Sequence, residues 1–280
     1  MVTLQPVHSH GTSAHSCRNC AMRSCCLANE LESTQLDRFQ SIRGCVRLLK
    51  NGQHLFRHGE KFNAIYIVRS GMVKATIIDN DGEEQVTGFY LPGDLLGMDS
   101  LEDNHYRTTA EALETSSICI LPFQKLIELG VEFPSLQKQL WKQTSKEIAK
   151  SQDLLLSVGR RDAEARLARF LLSMSLQFKH IGYSATVFRL PMGRHDIGNY
   201  LGMTLETVSR ILARFEKSGY IKKKTREISL IDFEALHFIC TGDSCEKPAT
   251  KFIHIETKTG VPSVTLKPGK RGSRCTATTG

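Results

Sequence analysis

Between residues 31 and 130 the hydrophobic positions come in short β-branched runs cut by turn signals. LFRHGE carries a glycine turn. AIYIVRSGMVKATIID breaks at Ser70-Gly71, and EEQVTGFYLPGDLLG follows the triplet Asn80-Asp81-Gly82. Asp-Gly between two such runs signals a hairpin, because the tight turn needs positive φ. Several short strands at regular spacing predict a small β-roll or barrel.

The rhythm changes at Pro134, a residue suited to the first turn of a helix. Over residues 134–157, Leu140, Thr144, Ile148, Ser151 and Leu155 recur at spacings of three and four, which places them on one stripe. The stripe is narrow and only partly apolar. It suits either packing on its own domain or a dimer seam, and polar members would keep such a seam weak. A second helix is expected over 161–178, with Leu167, Phe170, Leu171 and Met174 on its apolar face.

From Gly193 the periodicity is that of two short helices. Ile197 and Leu201 lie four apart, Gly202 breaks the first helix, and Thr204 is a good N-cap for the next. Val208, Ile211, Leu212 and Phe215 form a buried face, and Gly219 suits a C-cap. YIKKKTREISLI then reads as two strands around a basic tip. The pattern is helix–turn–helix followed by a wing. The start of the second helix would offer Glu206, Ser209 and Arg210 to base edges in a major groove. Lys222, Lys223, Lys224 and Arg226 would meet phosphates. The expected fold class is therefore α+β.

Charge strengthens the nucleic-acid reading. Residues 1–159 carry 16 Lys+Arg against 18 Asp+Glu, whereas residues 160–230 carry 14 against 6. One segment thus holds as much net positive charge as the whole chain, +8. Double-stranded DNA is the expected partner. Hydrophobic content of 40% with 24% charged residues fits an ordinary soluble protein, and no run is long and apolar enough to span a bilayer. The first residues have neither the basic nor the apolar region of a secretory signal, so a cytoplasmic location is expected.

Cysteine usage adds chemistry. Of nine cysteines, four fall in HSCRNCAMRSCC: Cys17, Cys20, Cys25 and Cys26. A reducing compartment disfavours a disulfide framework. On spacing alone, zinc or an iron–sulfur cluster could use these thiols.

DIGNYLGMTLETVSRILARFEKSG resembles the helix–turn–helix of the CRP/FNR superfamily of bacterial transcription regulators. YIVRSGMVKA and GFYLPGDLLGMDSL are similar to that superfamily's cyclic-nucleotide-binding β-roll. The resemblance, over about 17–238, implies a cysteine-rich arm (1–30), a β-roll sensor (31–133), a dimerisation helix (134–158) and a winged helix–turn–helix (159–240), and a basic tail (241–280) of no assigned role lies outside it. Met98 stands where nucleotide-binding relatives carry a ribose-binding glutamate, and Arg107-Thr108 only loosely echoes their Arg-Ser pair. A methionine cannot accept a ribose hydroxyl's hydrogen bond as a carboxylate does, so no cyclic nucleotide is expected.

The C-x2-C-x5-C cluster, with one distant cysteine in the β-roll, is similar to the oxygen-sensing FNR branch. That likeness implies a 4Fe-4S cluster on Cys17, Cys20, Cys26 and Cys119; Cys25 departs from the family's usual apolar residue there and is the candidate substitute for Cys26. It implies a homodimer that binds inverted repeats of TTGAT type and controls genes for anaerobic metabolism. Oxygen would convert the cluster and loosen the dimer. It also implies contact between exposed β-roll loops, Asn80-Asp81-Gly82 among them, and RNA polymerase. Familiar members carry aspartate at the position of Ser151, where its charge opposes pairing of the cluster-free protein. A zinc-stapled, constitutive regulator is the alternative. A redox enzyme is disfavoured, since the chain has no dinucleotide fingerprint, second cluster motif or triad-like set. Cys45 reads as a buried strand residue. Cys240, Cys245 and Cys275 match no assignable role. The tail alternates enough for a small hairpin and ends in a basic run suited to non-specific phosphate attraction.

Overall fold

The computed structural model describes residues 16–44, 46–78, 81–160 and 162–241. It divides the chain into units 1–243 and 244–280, the second lying outside the described residues. Cys45, Cys245, Cys275, Asn80 and the expected tail hairpin lie outside them as well.

From Ser16 the arm runs through turns and a short 3-10 segment, Arg23–Cys25, into helix α1 (Ser33–Ile42). Two sheets follow, sandwiching the β-roll core. One runs in the order β1 (Val46–Leu49), β8 (Ser116–Pro122), β3 (Ala64–Ser70), β6 (Leu95–Leu96). The other runs β2 (His54–Phe56), β7 (Thr109–Ala112), β4 (Val73–Ile78), β5 (Glu84–Tyr90), which leaves β5 at an edge. Strands β4 and β5 pair antiparallel up to Ile78↔Glu84, and Gly82 in their hairpin has φ +84. Ile65, Val68, Val73, Ile118 and Leu121 are fully buried between the sheets.

Helix α2 (Phe123–Glu132) closes the roll, and the long α3 (Pro134–Arg160) leaves it. The region 31–130 is therefore not strands alone. Each of the two short helices inside it, α1 and α2, buries only two side chains, Leu36 and Phe39 in one and Leu126 and Leu129 in the other. So few buried positions give little helical periodicity to read.

Helix α4 (Ala163–His180) starts on an N-cap: the Asp162 side chain accepts from the Ala165 amide at 2.7 Å. Its expected face, Leu167, Phe170, Leu171 and Met174, is buried. Helix α5 (Arg194–Leu201) ends at Gly202, which is left-handed with φ 63 and so suits glycine. Helix α6 (Leu205–Lys217) begins where Thr204 accepts from the Thr207 amide at 3.2 Å. Val208, Ile211, Leu212 and Phe215 turn inward as their spacing predicts. A three-stranded sheet, in the order β10 (Ile221–Lys224), β11 (Glu227–Leu230), β9 (Val187–Arg189), forms the wing, and α7 (Phe233–Thr241) packs on α4.

The sensor and the DNA-reading half share a hydrophobic core. Met72, Val86, Phe89 and Leu91 of the roll pack in one cluster with Phe170, Ile197 and Leu201. Phe89 meets Tyr200 edge-on at 5.2 Å between ring centroids. The Asn199 carboxamide adds a peptide-like pairing to the open edge of β5. Its Oδ1 accepts from the Val86 amide, and its Nδ2 donates to the Glu84 carbonyl at 2.6 Å. Lys74 joins Asp196 across the same contact at 3.1 Å.

Candidate thiol site and nucleic-acid interface

The arm is folded over the roll by local bonds. The Cys17 amide donates to Gln40 Oε1 of α1 at 2.8 Å, and Arg18 pairs with Asp37. The Arg23 guanidinium donates to the Leu31 carbonyl at 3.1 Å. Leu27, Ala28 and Leu31 are buried in the roll's core, which anchors the arm just past its cysteines.

Cys17, Cys20 and Cys26 thereby line one cavity with Cys119 of β8. Cys119 is held in register between Val46 of β1 and Ile67 of β3. Arg23, Arg43 and Arg69 line the same cavity, and Arg43 donates to Cys119 Sγ at 3.7 Å. Among the described residues, no carboxylate or imidazole lines it. Burial pushes the Cys26 thiol up to about 12 and raises Cys17 and Cys119, while the Arg43 charge works the other way on Cys17 and Cys119.

The cavity measures about 30 Å³, room for little more than a water or two. Among the described residues, no three ligating side chains already stand in metal-binding geometry. Donor chemistry nonetheless fits a thiolate-held centre: four sulfurs face one space, with cationic groups to offset their charge. Soft sulfur donors suit an iron–sulfur cluster or zinc.

Cys25 faces elsewhere. Its Sγ lies 3.3 Å from the His180 carbonyl at the end of α4, and it packs on the core shared with the DNA-reading half. The 3-10 turn sends adjacent Cys25 and Cys26 to different neighbours, a separation that sequence spacing does not reveal.

A second cavity, about 880 Å³, lies among β5, the Met98 turn, α3 and α4. Met98 and Thr108 line it, and Thr108 donates to Asp99 Oδ2 at 3.2 Å. Arg107 pairs with Asp103 at 3.4 Å. A carboxylate, Asp99, thus stands beside the Arg107-Thr108 pair.

At the mouth of the helix–turn–helix, Glu206 and Arg210 are exposed and Ser209 is half-buried. Arg194 of α5 donates to Ser209 Oγ at 3.1 Å. Hydrogen bonds from the Glu206 amide and the Thr204 side chain lower the carboxyl pKa of Glu206, keeping it an acceptor. The basic wing residues divide into two pairs. Lys222 and Lys224 are exposed. Lys223 is tied to Glu216 at 3.0 Å, and Arg226 donates to the Pro191 carbonyl at 3.0 Å. Pairing with Glu216 makes Lys223 a weaker candidate for phosphate than its neighbours.

Along α3, Ile148 is 55% exposed and Leu155 is 73% exposed. Ser151 and Thr144 bond back to the carbonyls four residues earlier, Glu147 at 3.0 Å and Leu140 at 3.0 Å. Leu140 itself turns inward, partly buried against the roll's core. Trp141, 64% exposed, takes its place on the outward line and stands seven residues before Ile148. A seven-residue repeat of apolar side chains is the spacing of a coiled-coil seam.

A β-roll of cyclic-nucleotide-binding type joined by a long helix to a winged helix–turn–helix defines a DNA-binding transcription regulator, not an enzyme. A Cyclic nucleotide-binding domain model matches residues 46–131, and a Crp-like helix-turn-helix domain model matches residues 165–239. The chain belongs to the CRP/FNR family, in its FNR branch. The transcriptional activator protein FnrA of Stutzerimonas stutzeri is 40% identical over 226 residues, spanning 81% of this chain and 93% of the relative. The fumarate and nitrate reduction regulatory protein of Escherichia coli K12 is 39% identical over 233 residues, 83% of this chain and 93% of its own. The solved structure of FixK2 from Bradyrhizobium japonicum is similar with a TM-score of 0.63 at 30% identity, covering 70% of this chain and 98% of that one. Among the described residues, no helix is long and apolar enough to cross a membrane.

Proposed function

We propose that this regulator is an oxygen-responsive homodimer, cytoplasmic, whose Cys17, Cys20, Cys26 and Cys119 hold a 4Fe-4S cluster. The observation that carries the reading is the single cavity lined by those four thiols and, among the described residues, by no other ligating side chain. When bound, the cluster supplies an oxygen-labile link between the arm and the roll. Three ligands come from the arm and the fourth from β8, so the arm's position depends on that link.

The outward line of Trp141, Ile148 and Leu155 on α3 pairs with its copy. Thr144 and Ser151 keep that seam weak, so that pairing can respond to the arm. Serine at position 151 lacks the charge that would repel a second chain, which favours pairing. The dimer sets two α6 helices about 34 Å apart, one turn of DNA, over an inverted repeat of TTGAT type. Glu206, Ser209 and Arg210 read base edges, and Lys222 and Lys224 hold phosphates, helped by Lys223 and Arg226. The genes controlled serve anaerobic metabolism, and the β4–β5 hairpin offers a contact to RNA polymerase. No cyclic nucleotide is used: the Asp99 carboxylate beside Thr108 would repel a phosphate there.

Purification without air is the test. Brown protein with about four irons per chain, losing affinity for an inverted-repeat duplex on air exposure, is the expected result. Colourless protein carrying zinc, with DNA binding indifferent to air, would overturn the reading.

A further inference from the structure

Four thiols and a dimer seam are useful only if one influences the other. Glu30 of the arm pairs with Lys142 at the start of α3 at 2.9 Å, and nearer the middle of the outward line the fold places one turn in contact with both. Leu91-Pro92-Gly93-Asp94 touches the cysteine arm, the strand beside Cys119 and helix α3. Gly93 has φ +97 and is pressed against the arm. A Cβ built there would stand 2.9 Å from the Cys25 carbonyl oxygen and 3.1 Å from its Cβ. Cys25 directly precedes Cys26, a member of the thiol set.

The same turn is bonded to β3. The Gly93 amide donates to the Val68 carbonyl at 2.8 Å, and the Val68 amide donates to the Asp94 carbonyl at 3.1 Å. Val68 follows Ile67, which lines the thiol cavity and pairs with Cys119. Both sources of sulfur, arm and strand, therefore bear on these two residues.

On its other side the turn reaches α3 through one side chain. The Asp94 carboxylate is only 7% exposed. Its Oδ2 accepts from the Leu91 amide at 2.9 Å, which fixes the carboxylate to the turn. Its Oδ1 lies 3.5 Å from Lys146 Nζ and 3.4 Å from Lys150 Nζ. Those lysines bracket Ile148, the middle of the outward line. Lys150 also holds Glu147 at 2.7 Å. The carboxylate is buried while Lys146 and Lys150 are 42% and 28% exposed, so it is the Asp94 charge that is costly to leave unpaired, and this favours the lysines' following it.

We propose that the Gly93–Asp94 turn is the relay that converts the arm's position into the set of α3, with Asp94 as the positioning residue. The inference rests on the cluster-controlled pairing proposed above. Movement of the arm shifts Cys25 against Gly93. The turn carries its carboxylate with it, and Lys146 and Lys150 shift the face that bears Ile148 and Ser151. The route runs within one protomer and needs no ligand in the 880 Å³ cavity.

The test uses the full chain, purified without air, as wild type, Asp94→Asn, Asp94→Glu and the double variant Lys146→Met/Lys150→Met. Iron and sulfide per chain report loading. Sedimentation gives the dimer dissociation constant of loaded and air-exposed protein. In the wild type, the ratio of the two constants is expected within the roughly 5–150-fold span of ordinary coupling energies. Asp94→Asn is expected to load fully, yet to give a ratio near unity, and Asp94→Glu to restore much of it. The lysine double variant leaves the buried turn intact and should uncouple in the same way, so a folding defect in Asp94→Asn would not decide the matter. A wild-type ratio preserved in both Asp94→Asn and the lysine variant overturns the relay alone. No shift in the wild type on air exposure overturns cluster-controlled pairing, and the relay with it.

Discussion

Arg210 stands exposed one turn into α6, and among the described residues no carboxylate pairs with it as Glu216 pairs with Lys223. A guanidinium can donate twice to guanine O6 and N7. Arg210→Ala is expected to cost about 1–3 kcal/mol of specific binding and to relax preference at one base pair, measured by titrating duplexes mutated position by position. Equal losses at every position would instead make it a backbone contact. The thiols yield a sharper comparison. Cys119→Ser removes one wall of the cavity, whereas Cys25→Ser alters a side chain aimed at the His180 carbonyl. Iron analysis of protein made without air should show cofactor missing from the first and kept by the second. The resemblance to the FNR branch marked Cys17, Cys20, Cys26 and Cys119 as a set, and the C-x2-C-x5-C spacing favoured Cys26 while leaving adjacent Cys25 as a substitute. That distinction depends on a turn of three residues, Arg23–Cys25, whose rotation is fixed by packing against the end of α4.

At the scale of the element, the proposed pairing rests on the outward surface of α3. Ile148→Glu places a charge at the centre of the outward line without touching the roll's core. The variant is expected to run as a monomer in gel filtration with or without air. Its operator affinity should fall by about 10²–10⁴-fold, the usual gain from linked binding. A dimeric Ile148→Glu protein would place the seam elsewhere. The helical period located this line to within one residue but began it at Leu140. The first turns of α3 still lie against the roll, so Leu140 is drawn inward and Trp141 is left outside. The pair α5–α6 was more legible, since Gly202 and Thr204 punctuate it and four apolar side chains share one face. Helices α1, α2 and α7 were not. They span only 9–10 residues, and what holds them is packing against distant strands and against α4.

Across the whole molecule, positive charge is concentrated in the half that reads DNA, and the wing divides it into exposed and paired groups. Replacing both Lys222 and Lys224 with alanine should lower the slope of log affinity against log salt by about 0.9 for each phosphate no longer neutralised. Removing Lys223 should change it less, because Glu216 already engages that ammonium. Filter binding across a salt series distinguishes the two, and identical slopes for all variants would mean that the wing does not touch the backbone.

The carboxamide of Asn199 has a further consequence for the chain's solubility. By standing in for a neighbouring peptide, it caps the last strand of its sheet. A bare strand border is a template for any other extended chain. Were the reading half to leave the roll, that border would be laid open, and two such molecules could zip together along it. The contact between the halves thus guards against clumping.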